Sequence, residues 1–171
     1  WLKSVAPKPA LHRVPGGVFS LSGPGLEALL RAVLAKGTPF RFRARGFSMY
    51  PFIQDGDMVT VSPKAGRAPQ PGHVVAFCHH GTGRLLIHRV ISEQPGGYLI
   101  QGDNTLEPDG LIPSEDVLGI VTQVERGGRR VLLGRGPERR LIAFLVRHSL
   151  LRPVVYRARQ VLRPLLQRLA A

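Results

Sequence analysis

Apolar residues recur along this chain with two different periods, and the switches between them mark out its organisation. Between residues 23 and 37, "GPGLEALLRAVLAKG" sets Leu26, Leu29, Leu30, Val33 and Leu34 three and four positions apart, the spacing that lines one face of a helix. Gly37 provides a stop. From residue 40 to about 133 the period shortens. "FRFRAR", "DMVTVS", "HVVAFC", "RLLIHRVI", "GYLIQG", "DVLGIVTQVE" and "RRVLLG" follow one another between glycine and proline turns, and several alternate apolar with polar positions as half-buried strands do. Strands so short and closely spaced predict a mainly β unit, a compact, partly closed β-barrel or folded-over sheet. After "GRGPERR" helical spacing returns near residues 138–149 and 153–169, interrupted by Pro153 and Pro164.

With 171 residues, 43% of them hydrophobic, the chain can bury one sizeable core and little more. The expected layout is an extended, proline-rich leader over 1–22, a short helix over 23–37, a β domain over 38–134 and a basic amphipathic helical tail over 135–171. Twenty glycines and fifteen prolines are scattered without a period, which excludes a repeat architecture. The net charge of +13 is unevenly placed: residues 126–171 hold 12 Arg and one Glu, a net +11, so the basicity belongs to the tail. The longest apolar run there, "LIAFLV" at 141–146, is far short of the eighteen or so residues a membrane span needs. A cytoplasmic protein, or one peripheral at a membrane, is the expectation. The single Cys78 has no partner for an internal disulfide or a cysteine metal site, and fits a reducing compartment.

Candidate chemistry centres on "RARGFSMYPFIQDGD", residues 43–57, where Ser48 stands between a glycine and a proline. Serine in such company commonly belongs to a turn, and as a nucleophile it needs a base. Within residues 40–133 the lysine candidate is Lys64, in the polar turn "SPKAGRAPQPG", and the histidines are His73, His79, His80 and His88. "LLIHRVI" embeds His88 in an apolar strand, where a charged imidazolium is costly unless paired. Further on, "LIQGDNTLEPDGL" places Asp103 and Asp109 just after a strand. Either carboxylate could orient an imidazole; both also sit in common turn sequences.

Taken in order, "GFSMYP", "DGDMVTV", "PGHVVAF", "IHRVI", "YLIQGDN…PDG" and "DVLGIV" resemble the type I signal peptidase superfamily, whose relatives include the self-cleaving phage and SOS repressor domains. The resemblance covers roughly residues 40–122. It implies that Ser48 is the nucleophile of a serine endopeptidase, that Met49 and Pro51 shape the loop presenting it, and that the Ser48 N–H helps to form an oxyanion hole. His88 stands where bacterial-type members have a lysine base; histidine there is similar to the archaeal, endoplasmic reticulum and spore-former branch. In that branch an aspartate beyond "GDN" assists, which points to Asp109, while Asp103, Asp55 and Asp57 read as structural turn residues. No metal or organic cofactor is implied, and the partner is a protein or peptide substrate carrying a leader or propeptide. The given residues depart from the pattern in opening on a proline-rich leader, where such members usually carry a membrane anchor, and in having only a short insert before "IHRV", so that a minimal catalytic core is the expectation. A non-catalytic regulatory or adaptor module of the same fold is the alternative.

The tail "ERRLIAFLVRHSLLRPVVYRARQVLRPLLQRLA" mixes arginine with leucine and valine. Residues 138–169 could pack on the β core, dock a partner protein, or lie on an anionic membrane surface. Nucleic acid is the least favoured partner, because the tail offers Tyr156 as its aromatic for stacking and no nucleic-acid motif is present.

Overall fold

The computed structural model describes residues 11–13, 19–21, 23–79, 82–132 and 134–158. In the leader, β1 (Leu11–Arg13) and β2 (Phe19–Leu21) pair antiparallel; the rest of the leader, His80, and the tail beyond residue 158 lie outside the described residues. Helix α1 (Gly23–Ala35) follows. Next come β3 (Phe40–Arg43), β4 (Met58–Ser62), β5 (Val74–His79), β6 (Arg84–Gln94), β7 (Gly97–Gln101), β8 (Gly110–Ile112), β9 (Val117–Arg126) and β10 (Arg129–Arg130). Helices α2 (Arg139–Arg147) and α3 (residues 151–158) end the described chain.

The sheet runs β3-β4-β9-β5-β6-β7-β8, with β10 added as a hairpin to β9. Each pairing is antiparallel. The fold is therefore mainly β, and its sheet does not close: β3 and β8 are its two edges. Register shifts at Thr60/Val61, Ala76/Phe77 and Val90/Ser92 are the places where an extra residue bends a strand and increases its twist.

Helix α1 buries Leu30 and Leu34 against Val59, Val61 and Val121, while Leu29, on the expected apolar face, stays 41% exposed. Gly119 allows the close approach, since a Cβ there would come within 2.5 Å of the Ser62 carbonyl oxygen and 3.1 Å of Leu34. Cys78 Sγ donates to Glu27 across the same contact. Burial and the neighbouring Glu27 carboxylate push the thiol up, so it serves as a helix-to-sheet contact.

On the other side, α2 sets Ile142 and Val146 against Phe52 and Ile91, joined by Leu151 from α3. The start of the basic tail is thus part of the core. Pro153 lies within the first turn of α3, where a missing N–H is tolerated; the break between the helices falls at residues 148–150, where Ser149 adopts a φ of 56°.

Candidate active site

The Ser48 loop is built between the end of β3 and the start of β4. Gly46, with φ of 92°, takes a left-handed conformation that a Cβ would oppose, and its N–H donates to Asp55 Oδ1 at 2.8 Å. The Ala44 N–H donates to the Asp57 carbonyl and the Gly56 N–H to the Ala44 carbonyl, closing the base of the loop. The Asp57 carboxylate accepts from the Gln54 N–H and from Nε and Nη2 of Arg126 at 2.8–2.9 Å. Met49, Phe52 and Ile53 are buried and anchor the loop from within, and the Tyr50–Pro51 peptide bond is cis. Ser48 is left half-buried at the rim.

His88 comes from the middle of β6, opposite Val75 of β5. Its Nε2 lies 2.8 Å from Ser48 Oγ and its Nδ1 lies 2.7 Å from Asp109 Oδ2. An ionised carboxylate can only accept, so Nδ1 carries the proton and donates to Asp109; Nε2 is then left to accept from the Ser48 hydroxyl. Asp109 is set in place by its own N–H, which donates to the Ile100 carbonyl of β7. The His88 and Asp109 side chains are 6% and 15% exposed, so water competes little with either bond.

Consecutive strand residues point to opposite sides, and Arg89 turns away from Ser48 into the interior. It is fully buried and grips Asp103 with two bonds of 2.7 Å, Nε to Oδ1 and Nη2 to Oδ2. Its Nη1 donates to the carbonyls of Gly72 and Gly134, and the guanidinium lies 5.5 Å from the Phe52 ring centroid. Burial pushes the Asp103 carboxyl up, and Arg89 pulls it back. This ion pair locks the turn after β7 to the strand that carries His88.

The turn itself touches Ser48. The Asn104 N–H donates to the Ser48 carbonyl at 2.7 Å, and Asn104 Nδ2 donates to the Phe47 carbonyl. Gly102 permits this contact: a Cβ there would lie 2.8 Å from the Ser48 carbonyl oxygen and 3.2 Å from His88 Nε2.

Of the sequence candidates, Ser48, His88 and Asp109 are brought together in one hydrogen-bonded chain, with Met49 and Pro51 in the loop beside them. Asp55 and Asp57 hold the loop base, and Asp103 ties the opposite turn to Arg89. Lys64 lines different clefts from Ser48 and donates to the Ser114 carbonyl; His73 accepts from the Gln70 N–H and His79 meets Thr82. Arg89, Gly102 and Asn104 are the site's supports that sequence reasoning passed over. The signal for Arg89 was available, since a cation within "LLIHRVI" must find a buried partner.

A small cleft of about 170 Å³ opens beside Ser48 and His88, between residues 42–46 at the end of β3 and residues 85–87 of β6. The open, mainly β sheet thus carries a serine with an imidazole beside it. The Peptidase S24-like family model matches residues 17–124, well over half of the chain, and the chain belongs to that family of serine peptidases related to the signal peptidases and the self-cleaving repressors. No curated protein matches it. The matched stretch includes Ser48, His88 and Asp109.

Proposed function

We propose that this protein is a serine endopeptidase that removes a leader or propeptide from a protein, or cuts its own chain, with Ser48 as nucleophile, His88 as base and Asp109 orienting the imidazole. The observation that carries this reading is the unbroken chain from Ser48 Oγ through His88 to Asp109, both links under 2.9 Å. As Ser48 Oγ attacks the scissile carbonyl, His88 Nε2 takes its proton, and Asp109 stabilises the imidazolium that forms. The Ser48 N–H faces the developing oxyanion in this reading, its peptide held in place through the Asn104 contact. His88 then protonates the leaving amine, and water, deprotonated by the same nitrogen, releases the acyl group.

Substrate is received in extended form. Strand β3 is a sheet edge, paired on one side by β4, and an edge offers unpaired backbone groups to an incoming peptide strand. The cleft at its end leads to Ser48. Digestion of a diverse synthetic peptide library, read by mass spectrometry, tests the proposal. Discrete cleavages by the native chain that vanish in Ser48→Ala and in His88→Ala are the expected result; the same cleavages surviving in Ser48→Ala would overturn it.

A further inference from the structure

Away from Ser48, the turn between β4 and β5, strand β9 and the start of α2 enclose a cleft of about 660 Å³. Lys64, Arg67, His73, Arg135 and Arg139 all line it, and among the described residues no carboxylate does. None of the five takes part in an ion pair among those residues; Glu115 acts on Lys64 only through its field. The Nε atoms of both Arg135 and Arg139 are buried with no hydrogen-bond partner. A guanidinium N–H removed from water and left unpaired is costly, and such donors ordinarily have an acceptor. Arg135 donates from its two terminal nitrogens to the carbonyls of Thr122 and Val131, while its Nε–H has no acceptor.

The crowding of cations has electrostatic consequences. Burial, then the charges of Arg139 and Arg140, hold His73 below the usual histidine range. Burial and Arg130 likewise lower Arg135. An anion entering the cleft would relieve this mutual repulsion, and a shift of the two arginine side chains toward it would give their orphan N–H groups an acceptor.

We propose that this cleft is a binding site for a phosphate-type dianion. A single carboxylate is matched by one guanidinium fork, whereas the five cationic donors here come from two segments of chain and suit an oxyanion with several acceptor oxygens and a double charge. The space also admits the organic group of a phosphomonoester. Such an anion could be soluble or the headgroup of an acidic lipid; both offer the same chemistry.

The test is a titration of the full chain with inorganic pyrophosphate at constant ionic strength, following the side-chain Nε–H resonances of the arginines by NMR. Saturable shifts of the Arg135 and Arg139 signals are expected, with affinity falling about tenfold in Arg139→Gln and in the exposed Arg67→Gln. A parallel sedimentation with phosphatidic acid vesicles identifies the source. Vesicle binding that falls with Arg67→Gln supports a lipid headgroup, and vesicle binding unmoved by it supports a soluble ligand. The absence of saturable Nε–H shifts, or shifts that both substitutions leave unchanged, would overturn the proposal.

Discussion

At the scale of single residues, the neighbours His88 and Arg89 divide the labour of one strand. His88 meets Ser48, and Arg89 secures the turn that supports both. Asp109→Asn preserves the side chain's shape but offers Nδ1 a different partner, so the imidazole loses its orientation and its charge stabilisation. Turnover should fall by about 10²–10⁴ with the fold intact, checked by steady-state rates on a peptide found in the library digest. Asp103→Asn acts differently, because it leaves the Arg89 cation buried without its counter-charge. It should cost about 3–5 kcal/mol in urea denaturation, whereas replacing both partners, Arg89→Met with Asp103→Leu, should cost much less. The role proposed for Ser48 can be read in the sequence only through the order of the surrounding motifs, since a serine near glycine and proline is locally a turn residue. Arg89 was overlooked because its partner, Asp103, is 14 residues away and only the fold joins them.

At the scale of elements, period-2 alternation located most of the strands. "DMVTVS" became β4 and "HVVAFC" became β5 with little change, but β6 extends to Gln94 and "RRVLLG" contributes only the two residues of β10. Strand β8 has three residues and opens on a glycine of φ 97°, so its pattern merges with that of the preceding turn. Composition and packing part company at residue 134. The basic helical segment follows it, yet Ile142, Ala143 and Val146 of α2 are buried, and Ile142→Ala should cost about 2–5 kcal/mol in thermal or chemical unfolding. The contact between α2 and the β4–β5 turn also sets a pH dependence. His73 is held below its ordinary value in the fold, so the unfolded chain binds the proton more readily. Stability from this site is present above the unfolded histidine value, about 6.5, and is lost as the pH falls toward the lower folded value. His73→Asn, which keeps an acceptor for the Gln70 N–H, should flatten that part of a melting-temperature profile; an unchanged slope would assign the dependence to other groups.

At the scale of the whole molecule, α2 and α3 present arginines beside exposed apolar side chains. Leu141, Phe144, Val154 and Tyr156 are exposed among Arg140, Arg147, Arg152 and Arg157. Among the described residues no helix is long and apolar enough to cross a membrane. We propose that this surface rests on anionic lipid, since each basic residue near such a membrane contributes about 1 kcal/mol and the apolar side chains add burial. Removing everything after residue 134 would strip α2 from the core, so substitution is the cleaner test. Leu141→Ser with Phe144→Ser should weaken sedimentation with anionic vesicles at low salt while leaving the melting temperature nearly unchanged. Equal binding by this variant and the native chain would leave core packing or partner docking as the tail's role.

The central claim is that Ser48 is a nucleophile activated by His88, and covalent labelling measures this without knowledge of the substrate. The native chain is treated with a fluorophosphonate and the adduct located by mass spectrometry. The account predicts one adduct, on Ser48, forming slowly or not at all in His88→Ala and absent in Ser48→Ala. Labelling of Ser48 that proceeds equally well without the His88 imidazole, or a native chain that stays unlabelled where a known relative reacts, would contradict it.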